Sequence, residues 1–183
     1  MLHAIELYFD RATEDAISGM WAELARRKVA RNLRDAGSRP HMTLAVYNDM
    51  NVGDLKTIAE GLARAAIPLD IAFDNVASFS VDLGVVYLQP AREETLRSLH
   101  EQLHQHGETW ADRVWAYYRP SNWIPHCTLA MGIPPNELAR TLFAARDMYR
   151  YISGRIESLG IVGMTPGGWI PQVESLAVLQ LGS

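Results

Sequence analysis

The 183-residue chain contains one cysteine, Cys127. A lone thiol excludes a disulfide framework and, with it, a multi-cysteine zinc site. No apolar run approaches the ~18 residues at which a membrane span is read. The segment Met1 to Asp10 lacks the basic start and long apolar stretch of a targeting sequence. Low-complexity tracts and long linkers are missing as well. Cations are outnumbered, with 17 Lys and Arg against 21 Asp and Glu, a formal net charge of −4. That argues against coating of nucleic acid through bulk positive charge. It leaves room for a small phosphate-bearing ligand held in a local pocket. These absences point to a soluble, cytoplasmic protein in a reducing compartment, with no membrane association and no obligate protein partner. What the chain has in quantity is core-forming material, 48% hydrophobic residues. At this length that suffices to fold without staples, as one domain or as two lobes sharing one core.

Periodicity gives an alternation of strands and helices. Leu2 to Phe9 reads as a strand, and Thr13 to Arg34 as a long helix with Thr13 or Asp10 available to cap it and Gly37 just beyond its end. His41 to Val46 alternates with a period of two. Asn51 to Ala66 is predicted helical, with Leu55, Ile58, Ala59 and Leu62 on one stripe and Pro68 stopping it. Leu69 to Val81 and Gly84 to Leu88 read as two strands around a turn at Asp82–Leu83–Gly84. Glu93 to His106 reads as a helix, followed by an aromatic loop from Trp110 to Trp123. A strand at His126 to Met131, a helix at Asn136 to Met148, and strands near Tyr151 to Val162 and Val173 to Leu181 complete the chain. The order is β-α-β-α-β-β, then α-β-α-β-β. Paired strands after every second helix predict antiparallel sheet, and hence an α+β fold rather than a parallel doubly wound one.

The second half repeats the first in its residues too. Residues 40–46 read Pro-His-Met-Thr-Leu-Ala-Val and residues 125–131 read Pro-His-Cys-Thr-Leu-Ala-Met, with five of seven positions identical. In a strand, positions i and i+2 share a face. His41 and Thr43 are therefore predicted to project together, with Met42, Leu44 and Val46 turned into a core. His126 and Thr128 project likewise, with Cys127, Leu129 and Met131 opposite, which makes Cys127 a buried, inert thiol. Two imidazoles converging on one cleft suit acid–base work on a phosphodiester: one neutral ring takes a proton from attacking water, the other gives a proton to the leaving oxygen. Two threonine hydroxyls can donate to the non-bridging oxygens. Neither step calls for a metal or a cofactor.

With these residues, the chain resembles the 2H phosphoesterase superfamily, which includes the 2′-5′ RNA ligase-like cyclic phosphodiesterases. His41-Met42-Thr43-Leu44 and His126-Cys127-Thr128-Leu129 both match the His-x-Thr/Ser-apolar motif of that family, and the length and element order match over essentially the whole chain. The resemblance implies a bilobal, pseudo-twofold α+β fold built as a single domain over residues 1–183, with one motif strand per lobe and the active-site cleft between the lobes. It implies metal-independent opening of a 2′,3′-cyclic phosphate, or a related reaction on a 2′-5′ linkage. His41 and His126 would be catalytic, and Thr43 and Thr128 would bind phosphate. The substrate would be an RNA end, a nucleotide or another small cyclic phosphate. A rival within the same cleft is a module that binds nucleotides or RNA ends without turnover.

Several other residues stand out. Tyr118, Arg119 and Trp123 lie nearest His126 in an aromatic stretch that can stack a base and hold a phosphate, or that simply packs. Tyr47 continues the His41–Thr43 parity, and Arg39 ends a locally basic run, Arg26, Arg27, Lys28, Arg31 and Arg34, that leads into the first motif. Arg39, Tyr47, Tyr118, Arg119 and Trp123 are thus candidate substrate contacts. His100-Glu101-Gln102-Leu103-His104 spells the H-E-x-x-H signature of zinc proteases. His106, two residues further, sits roughly 200° round the helix from that face, and the Leu96, Leu99, Leu103 stripe already accounts for an ordinary amphipathic helix. No metal site is expected there.

Overall fold

The computed structural model describes residues 2–167 and 170–182. The elements come in the order the periodicity predicts: β1 (Leu2–Phe9), α1 (Arg11–Arg26), β2 (His41–Asn48), α2 (Val52–Ala65), β3 (Leu69–Ser78), β4 (Val86–Pro90), α3 (Glu94–His106), β5 (Cys127–Ala130), α4 (Leu138–Met148), β6 (Ile152–Thr165) and β7 (Gln172–Gln180). The strands form one seven-stranded sheet, β1-β2-β5-β4-β3-β6-β7, in which the paired strands run antiparallel and an added β1–β6 pairing closes the ring. The fold is α+β. The long strand β6 makes closure possible. Its first residues, Ile152 to Ile156, pair with β3, and from Ile156 to Met164 it pairs with β1, while β7 takes over the edge that β3 leaves.

β1 is buried on both faces from His3 to Phe9. Ile5, Leu7 and Phe9 enter the main core, where they meet Ile17, Trp21 and Leu24 of α1, Leu55 and Leu62 of α2, Leu96, Leu99 and Leu103 of α3, and Leu138 and Ala145 of α4. Ala4, Glu6 and Tyr8 lie on the other face, where Ala4, Val46 and Val162 make a small cluster of their own. The helices thus cover one face of the sheet and leave the other free to line a cavity.

Caps set the helix starts. The Asp10 carboxylate accepts the Thr13 N–H at 2.9 Å and the Thr13 hydroxyl at 3.0 Å, so Asp10 rather than Thr13 caps α1. Asn51 caps α2 through the Asp54 N–H at 2.9 Å. The long helix expected to reach Arg34 stops at Arg26. Lys28 turns left-handed (φ 55°), and a short 3-10 turn over Leu33–Ala36 ends at Gly37 (φ 82°). Tertiary contact overrides helix propensity here: the Thr141 hydroxyl of α4 donates to the Val29 carbonyl at 2.9 Å and ties the reversed segment down.

On the free face, the Tyr8 ring lies across Gly160 of β6. A Cβ at Gly160 would stand 2.1 Å from Tyr8 Cε2. Gly160→Ala is therefore expected to cost about 2 kcal/mol through overpacking, read as a melting temperature lower by ~4–8 °C. An unchanged melting curve would contradict the packing described.

Candidate active site

The two motif strands each carry one extra residue at the same motif position. In β2, Thr43 pairs with Glu6 and Ala45 with Ile5, so Leu44 is bulged. In β5, Thr128 pairs with Tyr87 and Ala130 with Val86, so Leu129 is bulged. A bulge reverses the parity of everything beyond it. The predicted alternation holds through the threonines and then fails. Val46 and Met131, expected in the core, line the cavity instead, whereas Tyr47 turns away into the core with its ring fully buried. A bulge also leaves backbone groups unpaired, and two buried indoles meet them. The Trp21 N–H donates to the Thr128 carbonyl, and the Trp123 N–H donates to the Thr43 carbonyl, each at 3.0 Å.

Met42 pairs with Cys127 where β2 meets β5. In an antiparallel register that pairing sets His41 across from Thr128 and Thr43 across from His126, as neighbours about 5 Å apart. The two histidines sit on one diagonal of this quartet and the two threonines on the other. Cys127 itself is buried on the core side, and burial pushes its thiol up to about 12.

Each imidazole is tied back to its own chain. His41 Nδ1 lies 2.6 Å from the Arg39 carbonyl, and His126 Nδ1 lies 2.8 Å from the Ile124 carbonyl. A carbonyl only accepts, so both Nδ1 atoms carry protons and both Nε2 atoms are presented to the cavity. The surroundings of the two rings differ. His41 Nε2 has Glu6 Oε1 at 3.4 Å. His126 stands edge-on to Phe79, with centroids 4.9 Å apart, and beside Tyr87 at 5.4 Å. Burial lowers its pKa to about 4, and the nearby His41 adds to the effect.

The quartet opens on a cavity of about 120 Å³ lined by Glu6, Ser38, Tyr118, Met131 and Val173 among others. Glu6 is the residue that sequence reasoning passed over. It is 4% exposed, accepts the Tyr8 hydroxyl at 3.0 Å and faces Thr43 across the strand pair. A single acid at the centre of the mostly apolar strand Leu2–Phe9 was the available signal.

The remaining candidates separate by position. Tyr118 lines the cavity together with Thr43, and burial raises its pKa to about 12. Arg39 pairs with Glu14 and lies 4.0 Å over the Tyr8 ring; its carbonyl, not its guanidinium, serves His41. Arg119 is exposed and is not among the residues lining the cavity. Trp123 is buried behind the motif strand, stacked on His100 at 4.0 Å with the rings 5° apart.

That stacking explains the H-E-x-x-H sequence. His100 and His104 bring their Nε2 atoms 3.2 Å apart, and each lies 3.0 Å from the Tyr118 carbonyl. They brace the loop that carries Tyr118 and Trp123, while Glu101 faces outward. Among the described residues, no three His, Cys, Asp or Glu side chains gather into a metal-binding group. No helix among them is long and apolar enough to cross a membrane.

A family model for the 2′-5′ RNA ligase superfamily matches residues 13–166. The chain therefore belongs to that superfamily, the 2H phosphoesterases. Among solved structures, TT0787 of Thermus thermophilus superimposes with a TM-score of 0.70 at 17% identity, covering 100% of this chain and 98% of that one. LigT of E. coli in its apo form gives 0.66 at 13% identity, again over 100% and 98%. At these identities the likeness is one of fold. LigT has also been solved with 3′-AMP and with ATP. A Geobacillus thermodenitrificans protein provisionally named a phosphoesterase is 30% identical over 103 residues, 55% of this chain and 56% of its own length. The match thus spans about half of that curated relative.

The buried histidines make stability depend on pH. Burial holds both His100 and His126 at about 4, against 6.5 for a free imidazole. Between those values the unfolded chain binds protons that the folded chain does not. Stability therefore rises with pH through this window and is lost as pH falls from 6.5 towards 4. Melting temperatures recorded from pH 7 to pH 4 are expected to drop, and His100→Gln is expected to flatten the drop. Identical pH dependence in the variant would contradict the assignment.

Proposed function

We propose that the protein is a metal-independent phosphodiesterase that opens a 2′,3′-cyclic phosphate, or cleaves a 2′-5′ linkage, on an RNA end or small nucleotide. The observation that carries this reading is the Met42–Cys127 pairing, which sets both imidazoles and both hydroxyls on one wall of one cavity. The phosphate-containing ligands of LigT support it.

The two ring environments divide the roles. His126, neutral at pH 7, takes a proton from water at Nε2. The water oxygen bonds to phosphorus as the bond from phosphorus to the ribose oxygen breaks. His41 gives its Nε2 proton to that leaving oxygen. The Glu6 carboxyl lies 3.4 Å from this nitrogen. Thr43 and Thr128 donate to the non-bridging oxygens as charge builds on them. The roles of the histidines exchange in the reverse direction.

The test is turnover of a 2′,3′-cyclic nucleotide in excess chelator. Wild-type protein is expected to keep its rate, while His41→Ala and His126→Ala each lose about 10²–10⁴-fold in kcat. Chelator-sensitive activity would overturn the metal-free mechanism, and wild-type rates in either variant would overturn the assignment. Tight nucleotide retention with no product would favour a binding module in the same cleft.

A further inference from the structure

The cavity between the histidines, about 120 Å³, admits a phosphate group but is small beside the ~300–1,000 Å³ of most ligand pockets. Most of a nucleotide substrate must lie outside it. One neighbouring groove shares a wall with it. That groove, about 630 Å³, runs between the reversed segment 28–31 and the turn and first residues leading into α4, and Met131 lines both spaces. A larger groove beside β3 and β6 shares no lining residue with the cavity.

Three cations of the basic run near the groove are ion-paired. Of the basic run before the first motif, Arg26 pairs with Glu23 and Arg27 pairs with Glu23 and Asp147. Arg34 donates to the Ser18 hydroxyl, and Arg39 pairs with Glu14. Lys28 and Arg31 have no ion pair among the described residues, are exposed, and both line the groove. On the opposite wall, Arg140 is neutralised by Glu137 at 3.2 Å. Two uncompensated cations therefore face one groove in a chain of net charge −4. Their placement follows from the early end of α1. The left-handed Lys28 reverses the chain, and Thr141 fixes the reversal at Val29. Met131, flexible and polarizable, forms a floor that tolerates different bases.

We propose that this groove binds the phosphodiester backbone of an RNA strand whose cyclic-phosphate end lies between His41 and His126, with Lys28 and Arg31 contacting the phosphates that precede the end. This rests on the phosphodiesterase reading and names its substrate as a strand rather than a mononucleotide. A backbone held by two point charges is read without sequence preference.

The probes are a short fluorescently labelled RNA ending in a 3′-phosphate, followed by anisotropy, and 2′,3′-cyclic AMP, followed by turnover. Lys28→Gln combined with Arg31→Gln is expected to weaken RNA binding about tenfold or more and to flatten the salt dependence by about 1.4 in log–log slope, ~0.7 per lost single-strand contact. Turnover of cyclic AMP is expected to stay within about twofold of wild type, since neither residue reaches the cavity. Arg26→Gln removes an exposed charge that lies off the groove and is expected to leave RNA binding unchanged. Undiminished RNA binding in the double variant, an equal loss in Arg26→Gln, or a parallel loss of cyclic AMP turnover would overturn the proposal. If wild-type protein turned over no cyclic phosphate, the phosphodiesterase reading would fail, while the anisotropy series would still decide the groove.

Discussion

A strand that gains one residue against its neighbour cannot keep the same side chains on the same face along its whole length. In β2 and in β5 that residue is the leucine immediately after the motif threonine, Leu44 and Leu129. Up to the bulge, each strand sends its histidine and threonine into the cavity. Beyond it, Val46 and Met131 close the cavity, while Ala45 and Ala130 are buried. Without the bulges, Tyr47 would point where Val46 does.

The bulges bind the remainder of the fold to the site. The displaced carbonyls of Thr43 and Thr128 are inside the protein and need donors. Trp21 of α1 serves one, and Trp123, held by the stacked His100 of α3, serves the other. The helices on the core side therefore do more than bury apolar surface, because through these indoles they fix the backbone that aims the hydroxyls. The rings are fixed more locally, each by the carbonyl two residues before it. This leaves the difference between Glu6 and the Phe79–Tyr87 pair to distinguish the two histidines.

Much of this was legible in the amino-acid order. The repeated Pro-His-x-Thr-Leu-Ala pattern, read with a period of two, located the quartet. The alternation of strand and helix gave the element order and the antiparallel sheet. The bulges were not legible, because Leu44 and Leu129 fit an unbroken alternation as well as an interrupted one; only the register against Glu6 and Tyr87 reveals them. The end of α1 was hidden for a related reason. The residues beyond Arg26 have reasonable helix propensity, and the Thr141–Val29 hydrogen bond that stops them comes from more than a hundred residues away. The H-E-x-x-H run shows the converse. Its spacing was legible, but its use, two imidazoles bracing the Tyr118 carbonyl, depends on a loop that the helix sequence says nothing about.

The central claim is that both imidazoles are held at Nδ1 by backbone carbonyls and offer Nε2 to one shared phosphate position. Nitrogen-15 spectra of the histidine side chains at pH 8, with and without inorganic phosphate, test it most directly. The account predicts a proton on Nδ1 of both His41 and His126, with the Nε2 signals of both rings moving together as phosphate binds. A proton held only on Nε2 in either ring, or a response confined to one of them, would contradict it.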